Sequence, residues 1–72
     1  QDARILAATL QAGQETRYNL GANRFAYLAV AKGAASVNGI ALGPRDGAAI
    51  RDEAELKISA SEDAEIVLVD AP

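Results

Sequence analysis

Turn-forming residues interrupt this chain at short, regular intervals, and that spacing restricts the fold more than any other feature of the sequence. Glycine, asparagine, proline and acidic clusters recur at residues 12–13, 21–23, 33, 38–39, 43–47 and 61–63. The segments between them are mostly about four to nine residues long, which suits β-strands and is too short for most helices. We therefore predict an all-β sandwich or barrel, although abundant alanine would favour helix by propensity alone.

Periodicity within the segments supports this prediction. Residues 55–60 alternate between polar and apolar, as in a strand with one buried face. Phe25, Tyr27 and Ala29 would share one face of a strand, and the β-branched-rich run Ile66–Val69 is typical of a strand covered on both faces. Residues 51–55 show the weakest strand pattern and could form a short helical turn. The predicted strands are about 4–10, 14–20, 24–32, 34–38, 40–42, 47–50 joined with 55–60, and 64–70.

The strongest local signal lies near the middle of the chain. Asn38 and Gly39 stand between the apolar residues Val37 and Ile40. A two-residue type I′ turn needs positive φ at both central positions, which asparagine and glycine tolerate. The sequence therefore predicts a tight hairpin centred on Asn38-Gly39.

Length and charge exclude several classes of protein. The 72 residues suffice for one domain. The net charge is −3, acids and bases are mixed, and no basic run offers a face for phosphates, so we expect no nucleic-acid partner. No apolar run approaches a membrane span. The chain begins at Gln1 without a signal-peptide pattern, so we expect a cytoplasmic piece of a longer protein.

The sequence is poor in metal ligands. It contains neither histidine nor cysteine, the donors on which zinc, copper and non-haem iron sites depend. The remaining candidates are carboxylates, and the spacing of Asp46, Asp52, Glu53 and Glu55 does not match a calcium loop. We interpret these four acids as a solvated turn and strand edge, and predict no metal site.

Nucleophilic and acid–base chemistry are weakly supported as well. Without histidine the usual base for a serine nucleophile is absent. Ser59 with Lys57 could form a pair on a wet strand face, and Glu53 with Glu55 would share one face if extended. The glycines match neither a phosphate-binding loop nor a dinucleotide fingerprint. We therefore predict no catalytic and no cofactor-binding residue in this chain.

Several segments, taken in order, resemble a known family. They are Gln1–Ile5, Arg24–Leu28, Gly33, Val37–Gly39, Leu42, Asp46–Ile50 and Asp63–Asp70. Together they resemble the C-terminal cupin domain of pirin-like proteins, which are often described as quercetin 2,3-dioxygenases. Val69 departs from the phenylalanine usual near the end. The resemblance implies a cupin-type jelly roll or small β-barrel of about seven to eight short antiparallel strands.

The same resemblance implies where a metal site would have been. In such two-cupin proteins the N-terminal cupin holds iron or another divalent metal, and the C-terminal cupin has generally lost its ligands. Aligning the cupin pattern from Gly13 to Gly33 puts the ligand positions at Asn19, Gly21 and Ala26. A fourth ligand would fall within Glu53–Ile58, again without histidine.

Three functions follow as alternatives. The first is a non-catalytic C-terminal cupin domain, residues 1–72, that stabilises or completes a metal-binding N-terminal cupin absent from this chain. The second is a free-standing small β-barrel that binds a small ligand, and the third is an enzyme in its own right. For the first, we expect the partner to be the N-terminal cupin or a second copy, with Gln1–Leu10 and the region of Tyr18 as the candidate contact surface. We also expect the interior of the domain to be packed and apolar.

Overall fold

Eight short strands account for most of the chain in the computed structural model, which describes residues 3–21 and 23–72. Neither range contains a helix. The strands are β1 Arg4–Leu10, β2 Glu15–Asn19, β3 Phe25–Lys32, β4 Ala35–Val37, β5 Ile40–Leu42, β6 Gly47–Arg51, β7 Glu55–Ala60 and β8 Ala64–Ala71. The predicted all-β class is therefore confirmed.

The strands form two four-stranded sheets. The first sheet has the order β1-β8-β3-β6 and the second the order β2-β7-β4-β5. All the strand pairs are antiparallel. Successive strands alternate between the sheets except at the β4–β5 hairpin. This is the architecture of a double-sheet jelly roll.

The predicted join between residues 47–50 and 55–60 is wrong. These segments are β6 and β7, and they belong to different sheets. Between them Asp52 has a φ of 63°, which neither a continuous strand nor a right-handed helical turn allows. The expected helical turn at residues 51–55 is therefore absent, and the left-handed residue carries the chain from one sheet to the other.

The core lies between the two sheets and follows the two-residue period of the strands. Leu28, Leu56, Val30 and Val37 are its largest fully buried side chains. The alternation predicted for residues 55–60 is confirmed, with Leu56, Ile58 and Ala60 buried. The whole buried apolar set is Leu10, Leu20, Ala26, Leu28, Val30, Ala35, Val37, Leu42, Ile50, Leu56, Ile58, Ala60, Ala64, Ile66 and Leu68.

The prediction that Ile66–Val69 is covered on both faces is wrong. Ile66 and Leu68 point into the core, whereas Val67 is 36% exposed and Val69 is partly exposed. The outward side of β8 carries the apolar residues Val67 and Val69, and no other strand of the described part of the chain packs over them. Continuous apolarity in β8 therefore reflects a buried inner face and an apolar outer face.

The central hairpin is confirmed. Asn38 and Gly39 have φ values of 47° and 86°, as a type I′ turn requires. The Asn38 side chain also binds β7: its Oδ1 accepts the Lys57 N–H at 2.8 Å, and its Nδ2 donates to the Glu55 carbonyl at 3.2 Å. The turn is thus fixed to the neighbouring strand as well as to its own hairpin.

Gly39→Val should destabilise the domain by roughly 1–3 kcal/mol, because a β-branched residue is strained at positive φ. Gly39→Asn is the matched control, since asparagine tolerates the left-handed region and should cost much less. Urea unfolding of the three proteins measures the difference. Equal unfolding free energies for wild type and Gly39→Val would contradict this role for the turn.

Candidate functional site

The three expected ligand positions do not meet. Asn19 ends β2 opposite Glu55 on the exposed side of the second sheet. Gly21 is exposed in the following loop, with a φ of 91°. Ala26 is fully buried in the core. Asn19 thus faces solvent, Gly21 lies in a loop and Ala26 lies in the interior, so the three residues do not form a metal-binding cluster.

The region of the expected fourth ligand does not supply one either. Within Glu53–Ile58, Leu56 and Ile58 are buried and apolar, whereas Glu55 and Lys57 face outward. Within residues 3–21 and 23–72, no three acidic side chains are grouped so that they could hold a metal ion. The donor set of this chain therefore does not fit the iron that the resemblance implies for the parent protein.

The other acids singled out from the sequence lie in turns and on wet faces. Asp46 accepts the Gly43 N–H at 2.9 Å within its own turn. Asp52 and Glu53 are exposed, and Glu55 pairs with Arg17 at 3.6 Å. The interpretation of these acids as solvated surface agrees with their placement.

Ser59 and Lys57 do share one strand face, but each contacts a third residue. Ser59 Oγ donates to Glu15 Oε2 at 3.3 Å, and Lys57 Nζ lies 3.5 Å from the same oxygen. The carboxylate keeps Lys57 in an ion pair on the exposed side of the second sheet. This geometry does not present a free amine to the serine as a base.

Sequence reasoning missed a buried polar cluster. Asp70 lies on the inner side of β8 and is only 2% exposed. Its Oδ2 accepts a hydrogen bond of 2.5 Å from the Tyr18 hydroxyl, and its Oδ1 accepts one of 2.7 Å from Arg24 Nε. The cluster ties together β8, β2 and the loop before β3. The available signal was that Asp70 continues the inward alternation of Ala64, Ile66 and Leu68.

The contacts within the cluster shift the pKa of both Asp70 and Tyr18. Burial by itself raises the pKa of Asp70, but hydrogen bonds from Tyr18 and Arg24, with the charges of Arg24 and Arg4, bring that pKa below its ordinary value. The hydrogen bond to Asp70, helped by burial and by the charge of Asp70, raises the pKa of Tyr18 against the opposing effect of Arg4. The folded state thus holds an ionised carboxylate and a neutral phenol.

An apolar cleft opens where the sandwich is not closed. It has a volume of about 180 Å³ and lies between β1 and β2, which are edge strands of the first and second sheets. Its walls include Leu6, Ala8, Tyr18, Ile58, Ile66 and Leu68. The expectation of a fully packed apolar interior is therefore wrong in two respects, since the interior contains both this cleft and the ionised Asp70.

β1 is the least covered strand of the first sheet. Leu10 is its only buried residue, while Ile5 is 76% exposed and Leu6 is also exposed. The contact surface predicted at Gln1–Leu10 stays a prediction, and Gln1 and Asp2 fall outside the described residues. Tyr18, the other predicted contact, lines the adjoining cleft and binds Asp70.

Comparison with known proteins identifies the family. The model of the quercetinase C-terminal cupin domain matches residues 1–71. The chain belongs to this family. A pirin-like protein of Caulobacter vibrioides is 59% identical over 70 residues, which cover 97% of this chain and 30% of that protein. Quercetin 2,3-dioxygenase of Escherichia coli K12 is 32% identical over 72 residues, covering the whole chain and 31% of the relative.

Solved structures agree with the fold of this cupin domain. The crystal structure of YhhW from Escherichia coli superposes with a TM-score of 0.97 at 32% identity, covering 100% of this chain and 31% of that one. A second structure with the same TM-score and coverage is of the bacterial pirin YhhW in complex with nickel(II). The cupin domain described here therefore spans about a third of the length of its relatives.

No helix within residues 3–21 and 23–72 could cross a membrane.

Replacing Asp70 should change how stability depends on pH. Its depressed pKa adds stability that is present above the ordinary value of 3.8 and is lost as the pH falls through the lower folded-state pKa. Asp70→Asn should remove this part of the acid sensitivity. Asp70→Ala, which leaves Arg24 without its buried carboxylate, should cost about 3–5 kcal/mol at neutral pH.

Urea unfolding midpoints measured between neutral and acid pH test both expectations. Asp52→Asn, at an exposed turn, serves as the control and should keep the wild-type acid profile. Parallel profiles for wild type and Asp70→Asn would show that the buried carboxylate does not contribute in this way.

Proposed function

We propose that this chain is the non-catalytic C-terminal cupin of a longer pirin-like protein, in which it stabilises a metal-binding N-terminal cupin. The proposal rests on the residues that stand at the three expected ligand positions. Asn19, Gly21 and Ala26 offer a weak carbonyl donor, no side chain and a methyl group, and they face different surroundings. Metal chemistry then belongs to the other part of the protein.

The relatives support the same division of roles. Their matched regions amount to about 30% of each protein, so most of each relative lies outside the cupin domain seen here. One of the similar structures is named as a nickel(II) complex. In our proposal iron, nickel or another divalent ion binds in the N-terminal cupin, and any dioxygenase activity of the cytoplasmic parent resides there.

In our proposal this domain supports the N-terminal cupin structurally and carries out no chemical step. Its jelly roll presents a rigid sheet surface to the N-terminal cupin, and the cluster of Tyr18, Arg24 and Asp70 holds β2 and β8 together behind that surface. A metal ion, when bound in the N-terminal cupin, would supply Lewis-acid and redox chemistry that these residues cannot.

The apolar cleft favours a second candidate, a free-standing β-barrel that binds a small ligand. An apolar cavity of comparable size can hold a small aromatic molecule, and the walls of this cleft are mostly apolar, although Thr16 and Arg17 also line it. The hydroxyl of Tyr18 is engaged by Asp70, so recognition would depend on shape and apolar contact.

Metal content tests the first candidate. The full-length protein and the 72-residue chain are each incubated with ferrous, nickel and copper salts, dialysed and analysed for metal. We expect the full-length protein to retain one metal ion and the 72-residue chain to retain none, because its donors do not converge. Replacing Glu53 and Glu55 by glutamine in the full-length protein should leave its metal content unchanged. Near-stoichiometric metal on the short chain, lost on removing one carboxylate, would reverse the assignment.

Filling the cleft tests the second candidate. Ala8→Leu should occupy space beside Ile66, its partner in the β1–β8 register, and abolish any binding of an apolar fluorescent probe to the cleft. Ala41→Leu, on the exposed edge strand of the second sheet, is the control and should leave probe binding intact. If both proteins bind the probe as the wild type does, the cleft is not a ligand site.

A further inference from the structure

The two outer faces of the sandwich differ in chemistry. On the second sheet, Arg17 pairs with Glu55 at 3.6 Å and Lys57 with Glu15 at 3.5 Å. These charged side chains keep that face in water. The outer face of the first sheet instead carries large apolar side chains, among which Ile5 is 76% and Tyr27 49% exposed. The charged outer face of the second sheet is thus suited to contact with water, whereas the apolar outer face of the first sheet is suited to contact with another surface.

Strand register makes the apolar side chains continuous. Ile5 lies opposite Val69, Val69 opposite Tyr27, and Tyr27 opposite Ala49, so one uncharged row crosses all four strands. Ala7 and Val67 begin a second row beside it. We call the surface formed by Ile5, Ala7, Tyr27, Ala49, Val67 and Val69 the outer apolar face.

The outer apolar face is also flat. A methyl group placed at Gly47 would overlap the ring and hydroxyl of Tyr27. The tyrosine therefore lies down along β6 instead of standing away from the sheet. At the margin, Phe25 is covered in part by Arg51, whose guanidinium lies 5.8 Å from the ring centre. A flat face of small and β-branched residues is suited to stacking on another sheet, about 10 Å away.

The area of the face indicates what kind of partner covers it. Four strands spaced about 4.8 Å apart, over about five residues of 3.3 Å, give roughly 300 Å² per partner for the whole outer side of the first sheet, which includes the outer apolar face and its margin. Both partners together would bury about 600 Å², the lower limit for domains within one chain. A stable complex of separate proteins needs about 1,200–2,000 Å². The face is therefore suited to a tethered partner, for which the linker raises the effective concentration.

The polypeptide outside this domain supplies such a partner. The chain covers about 30% of its relatives and matches a family described as a C-terminal domain, so most of a relative precedes it. The preceding polypeptide enters at β1, and Ile5, one residue into β1, already belongs to the outer apolar face. Since β1 is an edge strand of the first sheet, a domain joined ahead of it would be tethered to the sheet that carries the outer apolar face.

We propose that the outer apolar face is covered by a β-sheet face of the domain that precedes it in the same chain. The inference deepens the proposed function by naming the surface through which this domain supports its neighbour. The aromatic ring of Tyr27 is then an interface residue, buried in the full-length protein although it is half exposed in the domain alone.

Hydroxyl-radical footprinting of the full-length protein tests the proposal at Tyr27. We expect Tyr27 to react about fivefold or more slowly than a half-exposed tyrosine, as burial at the centre of an interface implies. Ala49→Lys adds a charge beside Tyr27, on the opposite residue of β6, and should restore its reactivity. Ala41→Lys makes the same change at an exposed edge-strand alanine of the second sheet and should not.

Each other outcome counts against the proposal. A wild-type Tyr27 that reacts as a half-exposed ring leaves the face uncovered. Equal effects of the two lysine variants would indicate a general loss of structure, which circular dichroism would record. Concentration-dependent dimers of the 72-residue chain that are abolished by Ala49→Lys would assign the face to a second copy.

The metal analysis separates this inference from the proposed function. If the 72-residue chain binds metal while Tyr27 is protected in the full-length protein, the surface assignment stands and the non-catalytic role fails. If metal binds only the rest of the protein while Tyr27 reacts freely, the non-catalytic role stands and the surface assignment fails.

Discussion

Side-chain contacts between the inner faces hold this domain together, because the strand ladders run within each sheet and not between the sheets. Most of those contacts are apolar and small, with leucine, isoleucine, valine and alanine in the core. A polar contact is added by the hydrogen bond from Tyr18 on β2 to Asp70 on β8. It adds a directional link between the sheets at the end where the cleft leaves them apart, so the ionisation of one carboxylate affects how the sandwich closes.

The strand pattern was readable from the sequence because each strand buries one side, and a two-residue period survives even an alanine-rich composition. Strand bounds were therefore predicted within one or two residues. The Asn38-Gly39 dipeptide was enough to predict the central turn. An interruption at residues 51–55 was expected, but the change of sheet between β6 and β7 was missed because aspartate adopts positive φ only occasionally. The partners of Asp70 were missed because Tyr18 and Arg24 are distant from it in sequence and meet it only through the jelly-roll topology.

The prediction about ligand positions depended less on the fold. Absence of histidine and cysteine is a property of the composition, and any alignment of the cupin pattern gives the same answer. The structure adds that Asn19, Gly21 and Ala26 do not converge. Restoring histidine at Asn19 and Gly21 and glutamate at Ala26 would thus place one imidazole in solvent, one in a loop and the carboxylate within the core, without assembling a site.

The exposed backbone edge of β1 bears on whether the isolated domain aggregates. Residues 5–10 form an uncharged run without proline or glycine, and Arg4 is the one charge within the strand. Such segments are templates for cross-β assembly when their backbone edge is open. If, as proposed, another domain precedes β1, a protease that cut between the two would release a folded domain with an aggregation-prone edge, and thioflavin fluorescence of the cleaved protein would detect the resulting fibrils.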